Sequence, residues 1–157
     1  MVDMLKEQEM TLSLAESCTG GAIAARIVNV SGASEVFLQG MVTYSNKAKR
    51  RCLDVSKSTL KKHGAVSEEC AAEMAKGGRK ASKTDICLSV TGIAGPGGGT
   101  KEKPVGTVFM GCSYKGCTQV REFHFQGNRA RVREQTVAHG LAFLRDCMME
   151  RADKQDK

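Results

Sequence analysis

Thr11-Leu12-Ser13-Leu14-Ala15-Glu16-Ser17-Cys18-Thr19-Gly20-Gly21 runs from a short apolar stretch into a polar turn that ends in two glycines. Thr11, Leu12, Leu14 and Ala15 are too few for an independent helix and suit a buried strand. Gly20-Gly21 then lets the backbone turn sharply into the apolar run Ala22–Val30, so the segment predicts strand, turn, helix. In such a unit the connecting residues lie at the carboxyl end of the sheet, where N–H groups at the helix start favour an anion. Glu16, Ser17, Cys18 and Thr19 occupy that place. Taken alone, Ser17 or Thr19 is explained by the plainer role of capping the helix.

The rest of the chain supplies partners for that unit. Phe37–Tyr44 predicts a second strand, stopped by Tyr44-Ser45-Asn46. A short helix from Lys47 to about Leu53 follows, then a helical turn around Thr59–His63. Ser67 with Glu68 and Glu69 marks the start of a longer helix that ends near Ser82. Asp85–Thr91 is a near-continuous apolar run, which predicts a central strand buried on both faces. The glycine-rich loop from Gly92 to Gly99 sits directly against its end, where glycines let a ligand approach the main chain. Val105–Tyr114 and Cys117–Gln126, joined at Lys115-Gly116, form a hairpin that places His124 on an outer face. A last helix runs from about Arg129 to Met149, with Val132, Thr136, Val137, Leu141, Leu144 and Met148 on its core stripe.

A chain of 157 residues fits one domain, assigned to 1–150, with a charged, fraying tail at 151–157. Its 17 glycines and two prolines, with few aromatics, favour an α/β core of Ala, Val, Leu and Met. No stretch approaches the roughly 20 apolar residues that span a bilayer, and Met1–Glu9 is too charged for a signal peptide. A cytoplasmic protein with no membrane partner is expected. Seven cysteines, an odd number without a CxxC pair, predict reduced thiols and neither a structural disulfide nor a metal site. The net charge of +7 gathers at Lys47–Lys62 and again at Arg129, Arg131 and Arg133, which suits a phosphate-bearing small ligand. Nucleic acid is disfavoured as a partner because aromatics for base stacking are scarce.

These elements predict a three-layer α/β/α sandwich over a five-stranded mixed sheet. Right-handed crossovers put the carboxyl ends of the first three strands along one edge. Glu16-Ser17, Tyr44-Ser45-Asn46 and Thr91-Gly92 meet there and outline a pocket, with Glu16, Thr19, Gly20, Asn46, Gly92 and Gly95 as expected substrate contacts. A serine hydroxyl needs a base to become a nucleophile, and neither a GxSxG elbow nor a Ser-His-Asp set is visible. Lysine remains as the base. Lys49 lies one helical turn beyond Tyr44-Ser45-Asn46, where burial would lower its pKa, and Tyr44 would relay a proton or hold it. Lys47 is nearer the strand, and spacing leaves both lysines open.

Ala15–Gly21, Tyr44-Ser45-Asn46 with Lys49, His63–Ser67 and Val90–Gly98 together resemble the C-terminal domain of the competence and damage-inducible protein CinA, over roughly residues 5–146. The resemblance implies a nicotinamide-nucleotide amidase, which hydrolyses nicotinamide mononucleotide to nicotinate mononucleotide and ammonia in pyridine-nucleotide salvage. It implies Ser17 as nucleophile, Tyr44 and Lys49 as its partners, contacts from Thr91 and Arg131, and no cofactor or metal. The family's lysine falls three residues after the Asn of Tyr-Ser-Asn, which selects Lys49 over Lys47. Many members carry an additional N-terminal nucleotide-processing domain, so only the amidase domain's activity is expected. A silent nucleotide-binding module of the same fold is the alternative, since possession of the fold does not prove turnover. A homo-oligomer is expected from the resemblance and from the hairpin's exposed edge.

Overall fold

A computed structural model describes residues 1–155, with side chains through Glu150; the remainder of the expected tail lies outside the described residues. Strand β1 (Leu12–Glu16) is fully buried and lies parallel to both β2 (Phe37–Val42) and β3 (Ile86–Gly92). Strand β3 pairs antiparallel with β4 (Thr107–Tyr114), which pairs in turn with β5 (Cys117–His124), giving the order β2-β1-β3-β4-β5. This is the expected five-stranded mixed sheet with β3 at its centre. Antiparallel β4 and β5 need only the tight turn at Lys115-Gly116, whereas the parallel pairs need helical crossovers.

Alternation along the two inner strands sets the layers. Leu12 and Leu14 of β1, with Ile86, Leu88 and Val90 of β3, join the core built with helices α1 (Val2–Glu7), α2 (Ala22–Val28) and α6 (Arg129–Gln155). Ala15 and Cys87 point the other way, toward α3 (Asn46–Leu53) and α5 (Glu68–Ser82). Helix α4 (Lys57–Lys62) packs beside α5. Both faces of the sheet are therefore covered, which explains why its strands read as apolar runs.

Helix α1 was not expected. It spans six residues and buries only Val2 and Leu5, too little for a periodic signal. Strand β2 stops at Val42 rather than Tyr44, because Ser45 leaves the sheet to cap α3, its Oγ accepting the Ala48 N–H at 3.1 Å. The expected turn at Thr59–His63 is the helix α4, capped by Ser56. The hairpin arms are shorter than expected, and α6 runs past Met149 to Gln155. Ser67 caps α5 as the sequence indicates, its Oγ accepting the Cys70 N–H.

One close approach matters for function. A Cβ at Gly77 on α5 would run into the Leu53 carbonyl, so glycine lets the end of α3 settle directly onto α5. Leu53 and Lys49 lie one turn apart on α3, and both are buried. Anchoring Leu53 thus turns Lys49 inward. No helix among the described residues is long and apolar enough to cross a membrane. All seven cysteines are free, with Cys112 opposite Gln119 and Cys117 opposite Tyr114 rather than facing each other.

Candidate active site

The turn after β1 is built by Glu16. Its buried carboxylate accepts the N–H groups of Gly21 (3.0 Å), Ile23 (3.2 Å) and Ala24 (2.8 Å), so a negative charge sits on the start of α2. Two expectations are thereby corrected. Glu16 is spent on the helix rather than on substrate, and neither Ser17 nor Thr19 caps it, which leaves the Ser17 side chain available for chemistry. Gly21 takes φ +96° as the N-cap, a conformation a side chain would strain. The Ser17 N–H donates to the Val90 carbonyl at 3.0 Å and the Gly20 N–H to the Ser17 carbonyl at 3.1 Å. From α6, Arg133 donates to the carbonyls of Cys18 (3.2 Å) and Thr19 (2.8 Å), tying the turn to the opposite helix.

Ser17 and Lys49 meet across 32 residues of sequence. The Lys49 Nζ lies 2.8 Å from Ser17 Oγ and 2.8 Å from the Thr43 carbonyl. Lys49 is 1% exposed, and this burial lowers its pKa below the ordinary 10.5, against smaller opposing pulls from the nearby Cys70 and Cys18 thiols. Here Nζ donates both to the Thr43 carbonyl and to Ser17 Oγ. Lys47 is exposed on the first turn of α3 and does not line the cavity. Cys18, the neighbouring candidate, has its thiol pushed up to about 11 by burial, which keeps it protonated and unreactive.

These residues close the inner end of a cavity of about 200 Å³. Ala65, Val66, Thr91, Gly92 and Ala94 form its walls, and Tyr44, Asn46 and Arg129 its exposed mouth. Thr91 acts as a strut, its Oγ1 donating to the Ala65 carbonyl at 2.7 Å. Tyr44 is 60% exposed, and its hydroxyl accepts from Arg129 Nη2 at 2.8 Å rather than touching Lys49. The expected proton relay through Tyr44 is therefore replaced by a pairing with arginine.

Arg129 also donates through Nη1 to the Gly95 carbonyl at 2.9 Å, which binds the glycine loop to the mouth. Arg131, expected to contact the substrate, instead faces Glu134 at 3.8 Å and does not line the cavity. Positions 129 and 133 are four apart and share a face of α6, whereas 131 falls on the other side. That spacing was the signal that distinguishes the three arginines. Thr19 and Gly20 also lie off the cavity lining and serve the turn, Thr19 buried and Gly20 at φ +62°. Among the described residues, no group of three or more His, Cys, Asp or Glu side chains is placed to hold a metal ion.

Comparison with known proteins bears on the chain as a whole. Residues 1–148 match the family model described as CinA C-terminal domain. A CinA-like protein of Citrifermentans bemidjiense is 54% identical over 148 residues, covering 94% of this chain and 36% of its own length. The chain thus spans about a third of the length of the curated relatives it matches. Among solved structures, the competence/damage inducible protein CihA of Agrobacterium tumefaciens superposes with a TM-score of 0.89 at 40% identity, over 91% of this chain and 88% of that one. A CinA superfamily protein of Klebsiella pneumoniae gives a TM-score of 0.91 at 34% identity, over 94% and 92%. Sequence and fold agree, and the chain belongs to the CinA C-terminal domain family.

Proposed function

We propose that this domain is a nicotinamide-nucleotide amidase that hydrolyses nicotinamide mononucleotide to nicotinate mononucleotide and ammonia. The observation that carries the proposal is the buried contact of Lys49 Nζ with Ser17 Oγ at 2.8 Å. A lysine held dry, with its pKa lowered by burial, is a base suited to a serine hydroxyl.

Ser17 Oγ attacks the carboxamide carbon while its proton passes to Lys49 Nζ. The tetrahedral oxyanion forms beside the turn, where the Ser17 and Gly20 amides are already engaged and Cys18 is the next residue lining the cavity. Lys49 then returns the proton to the departing nitrogen, the C–N bond breaks and ammonia leaves. Water, deprotonated by the same lysine, attacks the acyl carbon, the bond to Ser17 Oγ breaks as Lys49 returns the proton to that oxygen, and nicotinate mononucleotide leaves. The Thr43 carbonyl fixes the amine throughout.

The cavity is smaller than the roughly 300 Å³ at which pockets for drug-sized ligands begin. It suits the nicotinamide ring, with the ribose phosphate left at the exposed mouth. There Arg129, rather than Arg131, is the cation in place to meet a phosphate. The test is ammonia release from nicotinamide mononucleotide by the purified protein. Release that depends on Ser17 is expected; folded wild-type protein that releases none rejects the amidase and leaves a binding module.

A further inference from the structure

Between α4 and α5, residues 63 to 66 form neither helix nor strand, yet a side chain takes each of their carbonyls. Ser67 Oγ donates to Gly64 at 2.9 Å and Thr91 Oγ1 to Ala65 at 2.7 Å. The other two carbonyls share one donor. Lys103 Nζ reaches His63 at 2.8 Å and Val66 at 2.6 Å, from 40 and 37 residues further along the chain.

Lys103 is held for that task. The Thr100 N–H donates to the Lys103 carbonyl at 2.8 Å and the Lys103 N–H to Thr100 Oγ1 at 3.0 Å, forming a closed turn that Pro104 follows. The base of the glycine-rich segment is zipped by Ile93 N–H to Thr107 (2.9 Å) and Gly106 N–H to Ile93 (2.8 Å). The groove around the ammonium contains Glu68, Glu69 and Glu122, but Glu69 pairs with His63 and Lys103 forms no ion pair among the described residues. A lysine that passes over nearby carboxylates to hold two peptide carbonyls is a clamp on the backbone rather than a solvated surface charge.

What it clamps is part of the cavity wall, because Ala65 and Val66 line the cavity together with Ser17 and Thr91. We infer that Lys103 is a positioning residue that fixes the Ala65–Val66 wall against the glycine-rich segment and so sets the fit of the substrate's ring. Its consequence for turnover rests on the amidase proposal; its consequence for the wall does not.

Two variants of the full chain test it: Lys103→Met, which keeps length and loses the donors, and Lys103→Arg, which keeps donors and charge. Hydrogen exchange of the segment covering residues 63–70, without ligand, is expected to speed up about tenfold or more in Lys103→Met and to stay near wild type in Lys103→Arg. With nicotinamide mononucleotide, KM is expected to rise about tenfold in Lys103→Met while kcat stays within about twofold and the pH profile does not move. Unchanged exchange overturns the clamp, and faster exchange with unchanged KM overturns the positioning role. Should Lys103→Met not fold, wild-type exchange and KM in Lys103→Arg support the clamp, whereas loss of either property overturns it. A wild type that releases no ammonia rejects the amidase, and the exchange comparison then decides the clamp alone.

Discussion

The two ends of the cavity are built from different materials. At the inner end, Ser17, Thr43 and Lys49 are each less than a tenth exposed, and Lys49 Nζ joins the Ser17 hydroxyl to the Thr43 carbonyl. At the mouth, Tyr44, Asn46 and Arg129 are exposed, and Arg129 spans two partners that belong to different loops. Burial tunes a pKa and strengthens every charge interaction, so the inner end is where bonds can be made and broken. An exposed arginine keeps its charge and adapts its geometry, so under the amidase proposal the mouth is where the phosphate is met. The contrast predicts that inner-end variants lose kcat and mouth variants lose KM.

The largest effect is expected at Ser17. Without a nucleophile no acyl-enzyme forms, so Ser17→Ala should lose about 10⁴-fold or more in kcat. Because the mouth is untouched, calorimetric affinity for nicotinamide mononucleotide should stay within about threefold. Turnover comparable to wild type would remove Ser17 from the chemistry. Cys18→Ser should be tolerated, since a thiol whose pKa burial raises to about 11 contributes no thiolate at neutral pH.

Next comes Lys49. Lys49→Arg should be as damaging as Lys49→Met, about 10²- to 10⁴-fold in kcat, because a guanidinium keeps its charge but cannot take a proton. Wild-type activity should fall as pH drops through a value below 10.5, since the amine must be neutral to act. Stability gives an independent check of the same burial. A lysine whose pKa is lowered on folding binds fewer protons folded than unfolded, so wild-type stability rises with pH between that lowered value and 10.5. Lys49→Met lacks this dependence. Its melting temperature relative to wild type should therefore be highest below the window and decline across it; a flat difference would mean that Lys49 is not desolvated.

At the mouth the expected loss is smaller and of another kind. Arg129→Ala should raise KM about 10- to 100-fold, the size of a lost charge-assisted contact, with kcat within a few-fold. Arg131→Ala should change either constant by less than about twofold, because its partner is Glu134 on the outside of α6. Equal losses in the two variants would show that the phosphate is not met at the mouth.

How far these residues were legible in sequence follows from the range of the interactions that place them. The cap at Ser67 is a local device, visible from residue type and a spacing of three, whereas the Glu16 carboxylate reaches amides five to eight residues on and reads in the sequence as a substrate contact. The sheet order also follows from local patterns, since apolar runs and one tight hairpin leave few alternatives. Arg129, Arg133 and Lys103 are different. Each donates to a backbone carbonyl from 34 to 115 residues away, and a carbonyl leaves no mark in the sequence of its own residue. Tyr44 was misread for a related reason: its position beside the lysine helix is local, but its partner arrives from α6.

The smallest effect is expected at Lys47, and it tests the division most directly because Lys47 and Lys49 share a helix. Lys47 sits exposed in the first turn of α3, where the positive end of the helix dipole disfavours a cation. It reaches neither Ser17 nor the cavity, and an exposed ammonium is screened by water and salt. Lys47→Ala should thus leave kcat/KM within about twofold and raise stability by a few tenths of a kcal/mol, about the size of a relieved dipole clash. Adding salt should erase most of even that gain, whereas the effects of Lys49 variants should be insensitive to salt because the inner end is dry. Paired melts and rate measurements at low and high ionic strength check both halves. A Lys47→Ala enzyme that is inactive at every salt concentration would place the decisive charge outside the cavity, and the distinction between a dry reacting end and an open binding end would fail with it.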